Sequence, residues 1–492
     1  MAISPMLRGF RCAFGKLAMV SGFALILVMF ALPTFALTGD QPATVDTAAA
    51  ADPQSSTTPA VAPAPPPMSM AFMHQDYMLN WGPDRQRLAD KGFTFNFFYI
   101  TDALGDPTHP AGTDLRFSNW QRIRGTIDYD FGKTSAAKGL SFHATGVWQN
   151  GVNMGGVIGS VANPSGIVSF HQFRLDSIWL SQKLAHDKVV VTAGFMASQD
   201  FYGLQEYGGS FINEPMDYNF GNMGNVRASY DPETGPGAEI KIIPNKHFYG
   251  KTGIFLPSDD SHVAGHEYRP TFLNYKSGDY GATWDTEVGY MTDAGAPSTR
   301  KSYPGIIKAG FIYNGSKAGS YSPVMGNSGF LNYSTGTYED HNYTFYFQAN
   351  QPVFRVAAGS NRGLDVTFGG NIAPASKSQI SAEFTAGAIF NGPIEGRPKD
   401  GLAFGLVYSK WSGDYNTFFQ NDSLRSGPGQ TIHAAASPTG IPALLNEKLF
   451  EFNYKAMIAP WLTFQPVYQF YASVGGSSKS AAIAGFRLVT TF

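Results

Sequence analysis

The chain has 492 residues, of which 15% are charged and 14% aromatic, with 55 glycines; the usual charged share is about 25%. A formal net charge of -2 offers no basic field for nucleic acid or phosphate. The single cysteine, Cys12, lies in the first segment of the chain, which excludes a disulfide framework as the source of stability.

Arg8, Arg11 and Lys16 precede or open an apolar run from Leu17 to about Leu32, which ends in Pro33, Thr34, Phe35 and Ala36. That is the order of a secretory signal peptide, so residues 1–36 are assigned to it, with cleavage expected after Ala36. An uncleaved membrane anchor is the alternative, but the run is short and has a cleavage-like end. Cys12 precedes the apolar run, where a lipoprotein cysteine would follow it. Residues 37–76 are rich in Ala, Pro, Thr and Ser, with Pro65, Pro66 and Pro67 in succession, and read as a disordered, partly polyproline linker in the periplasm. Residues 77–92 read as a short periplasmic helix: Gly82 and Pro83 suit its start, Arg85, Arg87 and Leu88 its body, and Gly92 its stop.

From Phe93 onward apolar and polar residues alternate with period two. Phe93, Phe95, Phe97 and Tyr99 oppose Thr94 and Asn96, and Ile123, Gly125, Ile127 and Tyr129 oppose Arg122, Arg124, Thr126, Asp128 and Asp130. Trp284, Val288 and Tyr290 face away from Thr283, Asp285 and Glu287; Phe345 and Phe347 from Thr344, Tyr346 and Gln348; Phe450, Phe452 and Ile458 from Glu451, Asn453 and Lys455. Mean hydropathy is only -0.15, and no stretch after the signal approaches the roughly 18 apolar residues of a transmembrane helix. Apolar residues spread over alternate positions, with rings at strand ends, define an all-β class: a transmembrane antiparallel β-barrel from residue 93 to residue 492. About 16 strands are expected, enough for an aqueous channel, with the short N-terminal helix ahead of them. The last strand ends on Phe492, an aromatic carboxy terminus of the kind read by the outer-membrane assembly machinery.

Trp81-Gly82 followed by Arg85, Leu88 and Gly92 gives W-G-x-x-R-x-x-L-x-x-x-G directly before the first strand. Later, Gly194-Phe195-Met196 leads to Gln199-Asp200-Phe201-Tyr202-Gly203 and then to Phe211-Ile212-Asn213. Together these resemble the carbohydrate-selective porins of the bacterial outer membrane, the OprB type, over about Tyr77 to Phe492. Two departures stand out: Glu214-Pro215 follows the Asn where small residues are usual, and Pro83 takes the place of a second Gly. The resemblance implies an outer-membrane channel for sugars into the periplasm, with no enzymatic activity and no cofactor or metal. The alternatives are an outer-membrane barrel enzyme acting on lipid, and a general or structural barrel without sugar preference.

A sugar channel must replace water at the hydroxyls with charged and amide groups, and meet the apolar C–H face with rings. On the lumen face the candidates are Arg122, Arg124, Asp128, Asp130, Glu451 and Lys455; a generic solvated wall is the alternative. The segment from Asp200 to Asn213, with Phe201, Tyr202, Glu206, Tyr207 and Phe211 among glycines, suits an inward-folding constriction, or else an outward surface loop. Within it Asp200, Phe201, Tyr202 and Asn213 are the candidate contacts. Expected partners are small-molecule sugars, outer-membrane lipid and lipopolysaccharide, and the assembly machinery through Phe492; no nucleic acid is expected, and the state is a monomer or a homotrimer. His262 and His266 with Asp259, Asp260 and Glu267 sit in a polar loop without the regular spacing that would hold a metal. No Gly-x-Ser-x-Gly elbow or Gly-rich phosphate loop is evident.

Overall fold

Sixteen antiparallel strands pair in sequence order and close, the first with the last, into one barrel. They are β1 (Phe93–Gly105), β2 (Phe117–Asp130), β3 (Leu140–Gly151), β4 (Gln172–Leu184), β5 (Val189–Met196), β6 (Gly235–Asn245), β7 (Phe248–Phe255) and β8 (Thr283–Thr292). The second half is β9 (Gly305–Asn314), β10 (Asn342–Arg355), β11 (Gly363–Ile372), β12 (Ile380–Asn391), β13 (Gly401–Trp411), β14 (Glu447–Ala459), β15 (Leu462–Ala472) and β16 (Ser480–Thr491). The expected sixteen-stranded barrel is therefore the fold. The computed structural model describes residues 76–79, 82–108, 117–169, 171–217, 225–226, 228–230, 234–257, 281–292, 303–316, 318–319, 321, 324–325, 331–332, 338–339, 341–422 and 442–492. The expected signal segment and all but the last residue of the expected linker lie outside the described residues.

Closure gives every strand two neighbours and leaves no free edge strand, which hydrocarbon demands because it offers no water to stray N–H and C=O groups. Side-chain alternation then separates two environments. In β8, Trp284 and Val288 are 52% and 58% exposed on the outer face, while Asp285 and Glu287 are 0% and 1% exposed on the inner face. Phe345 and Phe347 stand outward from β10 and Phe450 and Phe452 from β14, with Tyr346, Gln348, Glu451 and Asn453 turned in. Among the described residues no helix is long and apolar enough to cross a membrane.

The two ends of the barrel differ. Short turns join β4 to β5 and β6 to β7, the former with Ala185, His186 and Asp187 all at positive φ. At the other end lie the long connections, among them 152–171, 197–234 and 412–446.

Helix α1 (Gly82–Asp90) precedes β1 at the short-turn end and stops before Gly92, whose φ of 91° only glycine adopts cheaply; a Cβ there would meet the Asp130 carbonyl at 2.5 Å. Its Arg85 donates from Nη1 to the Phe95 carbonyl (2.8 Å) and from Nη2 to Phe492 O (2.5 Å). The guanidinium also lies 3.8 Å from the Tyr77 ring centre and 4.4 Å from that of Phe95. Met78 N–H bonds Thr491 O, and Phe492 N–H bonds Phe97 O, both at 2.9 Å. One arginine thus fastens the segment before the barrel to both sides of the β1–β16 closure, which gives the Arg in W-G-x-x-R a physical role. Replacing Arg85 with Ala removes two hydrogen bonds and two cation–π contacts, about 2–3 kcal/mol. The expected outcome is faster protease cleavage ahead of Phe93 with unchanged heat-modifiable mobility of the barrel; unchanged cleavage would mean that other contacts hold the helix.

Candidate functional site

The segment that follows β5 turns into the barrel, and its ends are fixed to opposite walls. On the β7–β10 side, Lys251 Nζ donates to the Phe201 carbonyl, Gly203 N–H to Glu287 Oε2 (3.2 Å), and Gln348 Nε2 to the Gly203 carbonyl (3.2 Å). Lys308 Nζ reaches the Leu204 carbonyl (2.6 Å) and Glu206 Oε1 (2.7 Å). On the β14–β16 side, Glu451 accepts from Ile212 N–H (2.8 Å), Asn213 N–H (2.9 Å) and Asn213 Nδ2 (2.7 Å). Lys455 Nζ donates to the Gly209 carbonyl (3.1 Å), and Arg487 Nη1 to Asp217 Oδ2 (2.6 Å). Strands β8 and β16 face each other in a ring of sixteen, so residues 201–217 cross the lumen.

Each wall carries a carboxylate that would be costly to bury unless its lone pairs were taken. Glu451 receives five N–H donors: the three from the segment, Asn453 Nδ2 (2.7 Å) and Gln469 Nε2 (2.9 Å). Glu287 receives Tyr249 OH (2.8 Å), Tyr346 OH (2.7 Å) and Gly203 N–H, and pairs with Lys251 at 3.1 Å. The end of the crossing, with helix α3 (Glu214–Asp217), rests against β12 and β13 because Gly387 and Gly405 leave room. A Cβ at Gly387 would stand 2.7 Å from Phe211, and one at Gly405 2.8 Å from Met216. Phe211, Ile212 and Met216 complete an apolar core with Val407, Leu449, Tyr471 and Ile483 of the inner wall. The β3–β4 connection joins it: after helix α2 (Met154–Ile158), Val161 and Ala162 donate their N–H groups to Glu447, and Ser165 Oγ donates to Asp102 at 2.6 Å.

The inner faces of β2–β4 flank the start of the crossing. Register places Arg124, Val147 and Arg174 on one rung, with Arg122 two residues along β2. Arg124 Nη2 is 3.7 Å from Asp200 Oδ2. Beside this pair Trp179 stacks on His143 (4.2 Å between centres, 12° between planes), and Phe201 meets Trp179 edge-on at 6.1 Å. His143 Nδ1 lies 2.7 Å from Asp128 Oδ1, which fixes the ring.

The structure thus brings Arg122, Arg124, Asp128, Asp200 and Phe201 to one flank of the crossing. Asn213, Glu451 and Lys455 lie together at its other end, where their polar atoms hold the backbone. Tyr202 is fully buried, its ring edge-on to Phe255 at 5.8 Å with Lys251 Nζ 4.8 Å from its centre. Asp130 lies apart, exposed at the strand end, where its carboxylate caps a turn by accepting from Gly132 N–H at 2.8 Å. Sequence reasoning did not single out Asp102, Arg174, Trp179, Glu287, Lys308, Glu447 or Arg487. Glu287 and Arg487 were legible as inward charges opposite rings or aliphatic side chains; their partners were not. The histidine and acid group 259–267 lies outside the described residues, and among the described residues no cluster of three His, Cys, Asp or Glu is placed to hold a metal.

A closed sixteen-stranded barrel with an apolar outer wall, a polar inner face and a chain segment folded across the lumen defines a porin-type channel. The chain belongs to the carbohydrate-selective porin, OprB family, whose model matches residues 116–492. It is 22% identical over 429 residues to Porin B of Pseudomonas aeruginosa, covering 84% of this chain and 90% of that protein. In fold it is similar to OprB of Pseudomonas putida in its high pH structure, with a TM-score of 0.74 at 18% identity, covering 85% of this chain and 99% of the other. The protein is a carbohydrate-selective channel of the bacterial outer-membrane type.

Glu451→Ala leaves the Ile212 and Asn213 N–H groups without their acceptor, at a cost of about 3 kcal/mol or more to docking of the segment. Single-channel conductance in planar bilayers should rise and become noisy; a normally folded variant with wild-type conductance would show that the segment does not limit flow. Docking is also linked to protons. Burial pushes the Glu214 carboxyl up to about 7, so the docked segment holds a proton that an undocked one releases near the ordinary carboxylate range. Docking is then fully favoured below that range and weakens as pH rises through about 7. Conductance is expected to increase from about pH 5 to about pH 8, and Glu214→Gln should flatten the profile.

Proposed function

We propose that sugars pass between the crossing segment and the inner face of β2–β4, and that selectivity is set there. The observation that carries this reading is the Arg124–Asp200 pair at 3.7 Å, set beside the Trp179, His143 and Phe201 rings. Charged groups for hydroxyls next to ring faces for C–H surface are the two things a sugar needs when it sheds water. Arg122, Arg174 and Asp128 extend the polar side, while Tyr202, Asn213, Glu451 and Lys455 act on selectivity by holding the segment. Asp130 contributes at the mouth on the short-turn side.

The wider setting is part of the same proposal. A signal segment at 1–36 sends the chain across the inner membrane, residues 37–76 form a periplasmic linker, and residues 77–92 end in the helix that meets the barrel. The assembly machinery reads the strand ending at Phe492, and the finished barrel works in the outer membrane as a monomer or homotrimer, without catalysis.

Swelling of proteoliposomes in neutral sugars, amino acids and phosphorylated sugars tests the reading. Neutral sugars should enter fastest, and Arg124→Ala should weaken sugar block of the ion current about fivefold and shift ion preference toward cations, as one hydrogen bond to a charged group is lost. Equal rates for sugars and amino acids, with Arg124→Ala like wild type, would leave a barrel without sugar preference. Release of fatty acid from added phospholipid would instead favour a lipid enzyme.

A further inference from the structure

The outer wall is almost free of charge, and the exceptions lie together. Register fixes which residues point outward in all sixteen strands. Asp176, the extra residue at the β3–β4 bulge, is fully buried. Of the remaining outward positions two carry charge, Lys410 near the end of β13 and Lys448 at the start of β14. No carboxylate and no arginine points outward from the sixteen barrel strands, the bulged Asp176 apart. Tyr408 pairs with Lys448, so Lys410 is the diagonal neighbour of Lys448 on the same face, about 7–8 Å away. Both are exposed, and among the described residues neither has an ion-pair partner.

Their height on the barrel matters as much as their pairing. Both flank the connection 412–446, at the end that carries the long segments and the inward-folded loop; in outer-membrane barrels that end faces the cell exterior. Below them on the outer face stand Tyr408, Phe450 and Phe470, with Phe404, Phe452 and Tyr468 deeper still. Phe450 and Phe470 lie 6.5 Å apart and Phe404 and Phe452 4.9 Å apart, giving a ring-lined apolar surface beneath two ammonium groups. A Lys in hydrocarbon is costly, whereas at the headgroup level its charge is solvated and meets lipid phosphate. On the other barrel strands the outward positions near this rim carry no charge.

We propose that Lys410 and Lys448 bind a phosphate of lipopolysaccharide, the phosphorylated glycolipid of the outer leaflet, while its acyl chains lie along the ring surface below. The site is separate from the sugar path, on the opposite face of the wall, and rests on the outer-membrane reading only for which end faces outward. Lys479, exposed in the β15–β16 turn at the same rim, adds a third positive group within the same stretch of wall.

The test uses the purified full-length barrel in detergent, with binding of bisphosphorylated lipid A, dephosphorylated lipid A and phosphatidylglycerol followed by native mass spectrometry. Wild type should retain bisphosphorylated lipid A over the other two. The double variant Lys410→Gln, Lys448→Gln should bind it about 10- to 30-fold more weakly, the change expected for two cations at a lipid surface. Heat-modifiable mobility and sugar flux of the variant should stay at wild-type values, which separates failure of this site from failure of the channel reading. Undiminished lipid A binding by the variant overturns the proposal. So does equal binding of dephosphorylated lipid A, or equal retention of phosphatidylglycerol, which would make the pair a general anionic contact. A change in oligomeric state of the variant without change in lipid binding would assign the patch to contact between copies instead.

Discussion

Everything in this molecule depends on joining β1 to β16, because an unpaired strand edge in hydrocarbon leaves a row of polar groups with nothing to bond. At that closure Arg487 of β16 grips Asp102 of β1 through two hydrogen bonds, Nε to Oδ1 at 2.7 Å and Nη2 to Oδ2 at 2.8 Å. The same guanidinium reaches Asp217 at the end of the crossing segment, and Ser165 of the β3–β4 connection completes the Asp102 carboxylate. One buried arginine between the buried Asp102 and the half-buried Asp217 therefore ties the seam of the wall to both loops that enter the lumen. Such an ion triad is stable in place because every partner is present, and removal of any one member would leave buried charge uncompensated.

The inner wall follows from the same physics. Lipid expels charge from the outer face, so the charges that the chain keeps in its strands accumulate inside, where they are available to hold backbone as well as solute. Several of them hold backbone. Glu287, Lys308, Glu447, Glu451 and Lys455 spend their polar atoms on N–H and C=O groups of the inward loops. On β2–β4 the inner face carries Arg122, Arg124 and Arg174, with the stacked Trp179 and His143 rings beside the start of the segment. The polar residues of this lumen thus include braces for its loops.

The wall was legible in the sequence because one local rule, alternation, writes it: Trp284 against Asp285, or Phe450 against Glu451, declares a face at every step. The Asp-Phe and Phe-x-Asn elements likewise marked the segment that enters the lumen. Its fastening was not legible, since Arg487 and Asp102 are separated by 385 residues and nothing local pairs them. Trp179 was missed for a different reason. The register shift between Thr145 and Gly146 inserts Asp176 into β4, so Arg174 and Trp179, an odd number of residues apart, come to point the same way. A strict period of two puts them on opposite faces.

The order in which the chain is made gives the fastening a consequence in time. Residues 201–217 belong to the first half of the chain, yet the groups that hold their far end, Glu451 and Arg487, come 239 and 270 residues later. The sheet up to β13 already carries the groups that hold the start of the segment and the glycines on which its end packs, but the Glu451 acceptor for the Ile212 N–H and the Arg487 partner of Asp217 come only with the last three strands. Because Arg487 takes hold of Asp102 and Asp217 together, the contact that seals the wall is also one that fixes the far end of the segment across the pore.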